Sequence, residues 1–171
     1  MDVAQLLTDG FGRVHEAVHR VLEGLTPEDL LHRVDDEANT IAWLVWHLTR
    51  VQDDHVSDAF DLPQVWMSQG WAERLALPFA PSATGYGQGP AEVAAVVVPV
   101  TDLLGYHEAV HARTVGLVGR LRPVDLDRVV DESWDPPVTL GVRLVSVIAD
   151  DLEHVGQAAY VRGVVRRLRE A

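Results

Sequence analysis

Apolar residues recur at three- and four-residue steps through most of this chain, with polar residues filling the intervals. Val3, Leu7, Phe11, Val14, Val18 and Leu22 form the first such stripe, which predicts a helix from about Val3 to Leu25. Thr26-Pro27-Glu28 then reads as a cap with proline at the first helical position, opening a short helical turn. A second helix is predicted from Thr40 to Phe60, with Asn39 or Thr40 as its N-cap. A third runs from Pro90 to Leu121, with Val93, Val97, Val100, Leu104, Val115 and Val118 in register, and Pro99 must kink it or displace its start. The fourth runs from Thr139 to Leu168, and Leu140, Leu144, Val147, Ile148, Val155, Ala158 and Val165 form its face. No strand-like alternation is visible, so the expected fold is all-α: one four-helix-bundle domain over residues 1–171.

One connection stands apart. Residues 61–89 carry Pro63, Pro78, Pro81, Gly85, Gly87 and Gly89, interleaved with Trp66, Trp71, Phe79 and Tyr86. This crossover is too long for an ordinary connection, and long loops of this kind are often functional. Its aromatic residues either wall a ligand pocket or cover the end of the bundle. The link from Leu121 to Val138 is shorter and ends in Trp134-Asp135-Pro136-Pro137.

Composition narrows the function. The net charge is −12, which gains nothing from phosphate counterion release and argues against nucleic acid and anionic membranes as partners. All 14 cationic side chains are arginine, a bias that points to GC-rich coding DNA. There is no cysteine, which removes disulfides, thiolate metal sites and cysteine nucleophiles together. The start, Met1-Asp2-Val3-Ala4, has no basic n-region, and the longest apolar runs, Ile41–Trp46 and Ala94–Val100, fall far short of the roughly 20 residues that span a bilayer. The expectation is a cytoplasmic protein. No phosphate-binding loop and no nucleophile elbow is present; Gly85, Gly87 and Gly89 do not sit between a strand and a helix.

Eight histidines are the main chemical resource. On the fourth helix Asp150 and His154 are four residues apart, about 40° around the helix, so a carboxylate and an imidazole stack one turn apart on one face. Asp151 is the competing carboxylate, and Gly156 would let another helix approach closely. His47 lies in the apolar run Trp43-Leu44-Val45-Trp46-His47-Leu48, and burying its imidazole without a hydrogen bond or a metal costs several kcal/mol. Asp54, seven residues on, can serve as an outer acceptor or line the site. His107 and His111 fall near the apolar stripe of the third helix and form a rival ligand pair. Together with Glu108 they match the H-E-x-x-H metalloprotease pattern, although five-residue matches arise by chance in helix-rich chains. His15 and His19 share the spacing but lie off their stripe, which reads as a surface pair.

The segments Thr40–Leu48 and Asp150–Gln157 resemble the DinB/YfiT-like metalloenzyme superfamily, and more closely its actinobacterial branch of mycothiol-dependent S-transferases. The resemblance covers essentially the whole chain. It implies a four-helix bundle holding a divalent metal through one histidine of the second helix and a pair four residues apart on the last. His47 matches the first ligand and His154 the third. Asp150 falls where histidine or glutamate is usual, which keeps a carboxylate but shortens it by a methylene. His107 and His111 lie outside that triad and would shape the pocket with Asp54, Trp66 and Trp71. Two imidazoles and one carboxylate leave a coordination position open, the mark of a catalytic zinc site; nickel, manganese or iron suits the same donors.

The resemblance further implies mycothiol as a thiol cosubstrate that attacks a small electrophile, and a homodimer. The function expected is thus a metal-dependent thiol S-transferase or isomerase. The alternatives are a non-enzymatic small-molecule-binding or stress-associated bundle with a vestigial or structural site, and metal-assisted hydrolysis with water in the open position.

Overall fold

Caps set where the helices begin. The computed structural model describes residues 1–170. Asp2 opens α1 (Val3–Leu22), accepting from the Gln5 amide while the Gln5 side chain accepts from the Asp2 amide. Thr26 and Asp29 make the same reciprocal pair for α2 (Pro27–Leu30), which has proline at its first position. The Thr40 hydroxyl accepts from the Trp43 amide and starts α3 (Ile41–Ala59).

The crossover is not the structureless loop its proline and glycine content suggests. It contains α4 (Val65–Ser68) and α5 (Trp71–Leu75). The expected third helix is two: α6 (Pro90–Ala95) and α7 (Val100–Val118), with Pro99 as the cap of the second. Proline bars the residue before it from helical geometry, so the apolar run leaves the helix after Ala95 and still buries Val96 and Val98.

The expectation of no strands needs correction. Val129–Asp131 (β1) and Val138–Thr139 (β2) pair antiparallel beyond a 3-10 turn at Pro123–Asp127. Strands of three and two residues are too short to show a period of two in sequence. The hairpin leads directly into α8 (Leu140–Glu170), whose 31 residues span about 46 Å.

α1, α3, α7 and α8 form the bundle, with α3 and α1 each packed on both α7 and α8. His47 faces His154 and His55 meets Arg143, so α3 and α8 are antiparallel. His19 meets Glu108 and Thr8 lies by Gly119, so α1 and α7 are antiparallel. Thr49 faces His107 and Gln52 faces Thr114, so α3 and α7 are parallel. The course is up, down, down, up, and the 61–89 crossover is what returns the chain to the start of the second descending helix. With α7, α8 and the crossover around it, α3 is buried on every side from Ile41 to Asp53.

The core is in two parts. One cluster holds Val14, Leu48, Val110 and Val155; the other holds Phe11, Val56, Val118 and Val147. Thr49, Gln52, Thr114 and Asp151, all buried, lie between these residues on their helices and form a polar belt that separates the two. Within it Gln52 Nε2 donates to Thr114 Oγ1 at 2.8 Å.

The crossover is anchored on α3 through a buried ion pair. Asp53 is 1% exposed and Arg50 0%. The Asp53 carboxylate accepts from the amides of Val65 and Trp66, at 2.8 and 2.7 Å, and so caps α4 from another helix. It also accepts from the Tyr106 hydroxyl at 2.9 Å and the Ser57 hydroxyl at 3.2 Å. Arg50 Nη1 lies 3.7 Å from the carboxylate and donates to the Tyr106 oxygen, while its Nε donates to the carbonyl of Ala83. The guanidinium also lies over the Trp66 ring.

Removing one partner of such a pair strands the other in a dry interior. Asp53→Ala is therefore expected to cost about 3–5 kcal/mol in chemical denaturation, and a loss below 1 kcal/mol would show that the pair does not carry the crossover. Asp151 is the opposite case: it is fully buried and neither carboxyl oxygen has a partner. Burial first, and the Asp150 charge second, hold its carboxyl well above the usual carboxylate range. The folded protein thus keeps a proton that the unfolded chain releases, so stability is greatest below the ordinary carboxylate range and falls as pH rises toward the folded value. Asp151→Leu is expected to remove that slope and to stabilise the protein at pH 7 by about 1–3 kcal/mol, measured by thermal and urea unfolding across pH. A less stable variant at pH 7 would show that the carboxyl is needed in place.

Candidate metal centre

α3 and α8 cross where each presents a polar residue from an otherwise packed face. His47 (α3) and Asp150 and His154 (α8) each place one ligating atom so that all three lie within 4.8 Å of one another. His154 Nε2 is 3.6 Å from Asp150 Oδ1. The rings of His47 and His154 stand edge to face at 4.7 Å. Asp151, the competing carboxylate, is not in the cluster; one residue on around α8, it enters the polar belt instead.

The orientation of His47 is fixed by the crossover. Its Nδ1 lies 2.6 Å from the carbonyl oxygen of Thr84. A carbonyl only accepts, so Nδ1 carries the proton and Nε2 is left with its lone pair. Burial, as the larger effect, and His154 lower the His47 pKa, while the Thr84 bond and Asp150 act against this. The backbone reaches so close because residue 85 is glycine. Gly85 has φ +103°, and a Cβ there would lie 2.6 Å from His47 Nδ1 and 3.2 Å from Trp43. Trp43 stacks on His47 at 4.5 Å and donates from Nε1 to Gln88 Oε1, so the crossover is tied down on both sides of Gly85.

The donor set fits a divalent ion. His154 Nδ1 and Asp150 Oδ2 are buried without a protein partner, which leaves ligating capacity unspent. The Thr84 carbonyl supplies the outer hydrogen bond that a metal-bound imidazole ordinarily makes. That outer acceptor had been expected of Asp54. Instead Asp54 accepts from Gln64 Nε2 and lies 3.8 Å from His55 Nδ1, two turns along α3.

The other expected pocket residues lie elsewhere. Trp66 is buried over Arg50 and Tyr106 and lines a cavity of about 220 Å³ with Trp46 and Phe79, to which no member of the His47 cluster contributes. Trp71 packs on Gly105 and Tyr106 of α7. Tyr86 is 94% exposed and walls nothing. Gly156 faces open space, not a neighbouring helix. With Leu44, Gln157 and Tyr160 it borders a groove of about 560 Å³ that begins one turn beyond His154.

His107 and His111 are not brought to the cluster either. His107 is fully buried, with Nδ1 3.1 Å from the Thr49 hydroxyl. Burial, with the neighbouring histidines, pushes its pKa down to about 3 and that of His111 to about 4. Glu108 turns away from both and reaches α1, its Oε1 2.6 Å from His19 Nε2, so the metalloprotease arrangement is not formed. Of the pair read as surface, His19 is exposed as expected, but His15 is not. His15 is half-buried and stacks on His111 at 4.1 Å, because a residue flanking the α1 stripe still faces the seam with α7.

Sequence reasoning missed Arg50, Asp53, Trp43, Thr84 and Gly85 as groups that build this site. A signal existed for the first two: opposite charges three residues apart, directly after the run Ile41–Leu48 in which His47 is the only polar residue. Thr84 acts through its backbone, which leaves no trace in its identity.

Comparisons with known proteins agree with this architecture. The family model of the mycothiol-S-transferases matches residues 6–167. Among solved structures, a conserved protein from Enterococcus faecalis aligns with a TM-score of 0.88 at 34% sequence identity, over 95% of this chain and 96% of that one. No curated protein matches the chain. The family match extends over almost the whole bundle, from early α1 to the end of α8, and the chain belongs to the mycothiol-S-transferase family.

Proposed function

We propose that this protein is a metal-dependent transferase that joins the sulfur of mycothiol to a small electrophile, with His47, Asp150 and His154 as the metal ligands. The observation that carries this is the convergence of three ligating atoms from α3 and α8, with His47 locked in the tautomer that leaves Nε2 free. When bound, a zinc-class ion lowers the pKa of a coordinated thiol and so makes it nucleophilic near neutral pH. Every other contribution comes from the chain. His47, neutral because it is buried, offers its lone pair at pH 7. Thr84 holds the ring in place, and Trp43 covers one ring face and excludes water from it. With no cysteine in the chain, the sulfur must come from a separate molecule.

The groove beyond His154 suits that molecule. Leu44 and Val161 give it an apolar floor, while Glu37, Asn39 and Gln157 offer hydrogen-bonding groups at its edge. Transfer breaks the thiol S–H bond and one bond of the electrophile, either a carbon π bond or the bond to a leaving group, and forms the sulfur–carbon bond; the proton ends on the electrophile's neighbouring atom or on the departing group.

Elemental analysis of the purified protein is expected to find one divalent ion per chain that belongs to the His47 cluster. The His154→Ala variant is expected to hold one ion fewer than the wild type while keeping its helix content by circular dichroism; an unchanged metal content would refute the triad. Gly85→Ala is expected to weaken metal binding about 10–100-fold in zinc titrations, because it disturbs the Thr84 bond that orients His47. An unchanged affinity would show that His47 needs no outer support. Product from a model electrophile is expected only when mycothiol is added. Turnover of esters without thiol would point to hydrolysis instead, and no metal even after incubation with zinc would point to a binding bundle.

A further inference from the structure

The H-E-x-x-H segment of α7 is not used as its pattern suggests, yet its glutamate sits in a second cluster of ligating groups. We propose that His15, His19 and Glu108 form a separate site for a zinc-class divalent cation, which ties α1 to α7. One ligating atom from each of the three lies within 4.8 Å of the other two. Glu108 Oε1 is 2.6 Å from His19 Nε2 and 3.7 Å from His15 Nε2. Donors around a tetrahedral zinc ion stand about 3.3 Å apart, given bonds of about 2.0–2.1 Å, so the two distances bracket the value a bound ion needs. A hydrogen bond between His19 and Glu108 accounts for those two residues alone. It does not account for His15, which is too far from the same oxygen to share a hydrogen bond and at the right distance to share an ion.

The site is built, not a chance meeting of surface side chains. His15 and His19 are four apart on α1, with ring centroids at 4.6 Å. The His15 ring is held by parallel stacking on His111 at 4.1 Å and 9°, with His107 stacked at 5.6 Å and 17°. His15 Nδ1 is buried without a partner, so no other hydrogen bond fixes the ring, and Nε2 is the nitrogen that faces Glu108 Oε1. His15 and His19 border an open groove of about 330 Å³, which leaves room for water to complete the coordination. Two imidazoles and one carboxylate select zinc, copper or nickel over magnesium or calcium. The net charge of −12 favours any cation.

The test is a calorimetric titration with zinc of the Asp150→Ala/His154→Ala variant, with and without the further change His19→Ala, after circular dichroism has confirmed that both fold. The double variant is expected to bind one equivalent, and adding His19→Ala is expected to weaken that binding at least tenfold. Thermal midpoints are expected to rise by about 5–10 °C with a hundredfold excess of zinc over the dissociation constant in the double variant only. Glu108→Gln in the same background gives an independent check through the α7 ligand and is expected to lower the affinity as well. No bound equivalent in the double variant would overturn the proposal, as would an equivalent that survives both His19→Ala and Glu108→Gln. In this background His47 is left without its two partners on α8, and a single imidazole does not make a site, so the outcome does not depend on the His47 cluster. If that site binds nothing, wild type and double variant bind the same single equivalent.

Discussion

A carboxylate and a guanidinium buried side by side in α3 carry the organisation of this molecule. Taking Asp53 and Arg50 out of water is costly, and their mutual attraction alone does not repay it. The structure offsets the cost with hydrogen bonds from the starts of α4, from Tyr106 on α7 and to the backbone at Ala83. Each of these bonds belongs to a different part of the chain. The pair therefore converts an unfavourable burial into a fixed relation among α3, α7 and the crossover, and that relation decides where the backbone at residues 83–85 must lie.

The His47 cluster inherits that decision. His47 and Arg50 are one turn apart on α3 and take the carbonyls of Thr84 and Ala83 in turn. The crossover is thus laid along α3 like a strap held at two adjacent points, and glycine at 85 lets it lie flat against the imidazole. The orientation of the His47 imidazole is controlled by backbone from a distant segment, which is in turn controlled by an ion pair outside the cluster. The geometry of the cluster and the stability of the fold are coupled through these shared bonds.

The helices were legible because their apolar stripes and caps are local. Thr26, Thr40 and Pro99 mark the boundaries that the structure shows at α2, α3 and α7. The crossover was legible only as long, aromatic and unusual. Its first short helix, α4, depends on Asp53, more than ten residues upstream, for its first hydrogen bonds, and no local pattern records that dependence. Spacing put Asp150 and His154 on one face but left Asp151 as a competitor; in the structure Asp150 joins the cluster while Asp151 is buried away from it. Trp66 and Trp71 illustrate the limit of composition. Aromatic residues in a functional-looking loop were needed to cover Arg50, Tyr106 and Gly105, not to wall the cluster at His47.

The course of the four long helices also sets an order of events during synthesis. His15 and His19 are neighbours on the first helix, so the pair is in place as soon as α1 forms, and Glu108 completes it when α7 docks. His47 must wait much longer: its partners lie about a hundred residues downstream, on the last of the four bundle helices to be made. The α3–α8 cluster therefore cannot exist in a nascent or truncated chain, and its three donors meet only as the final act of closing the bundle.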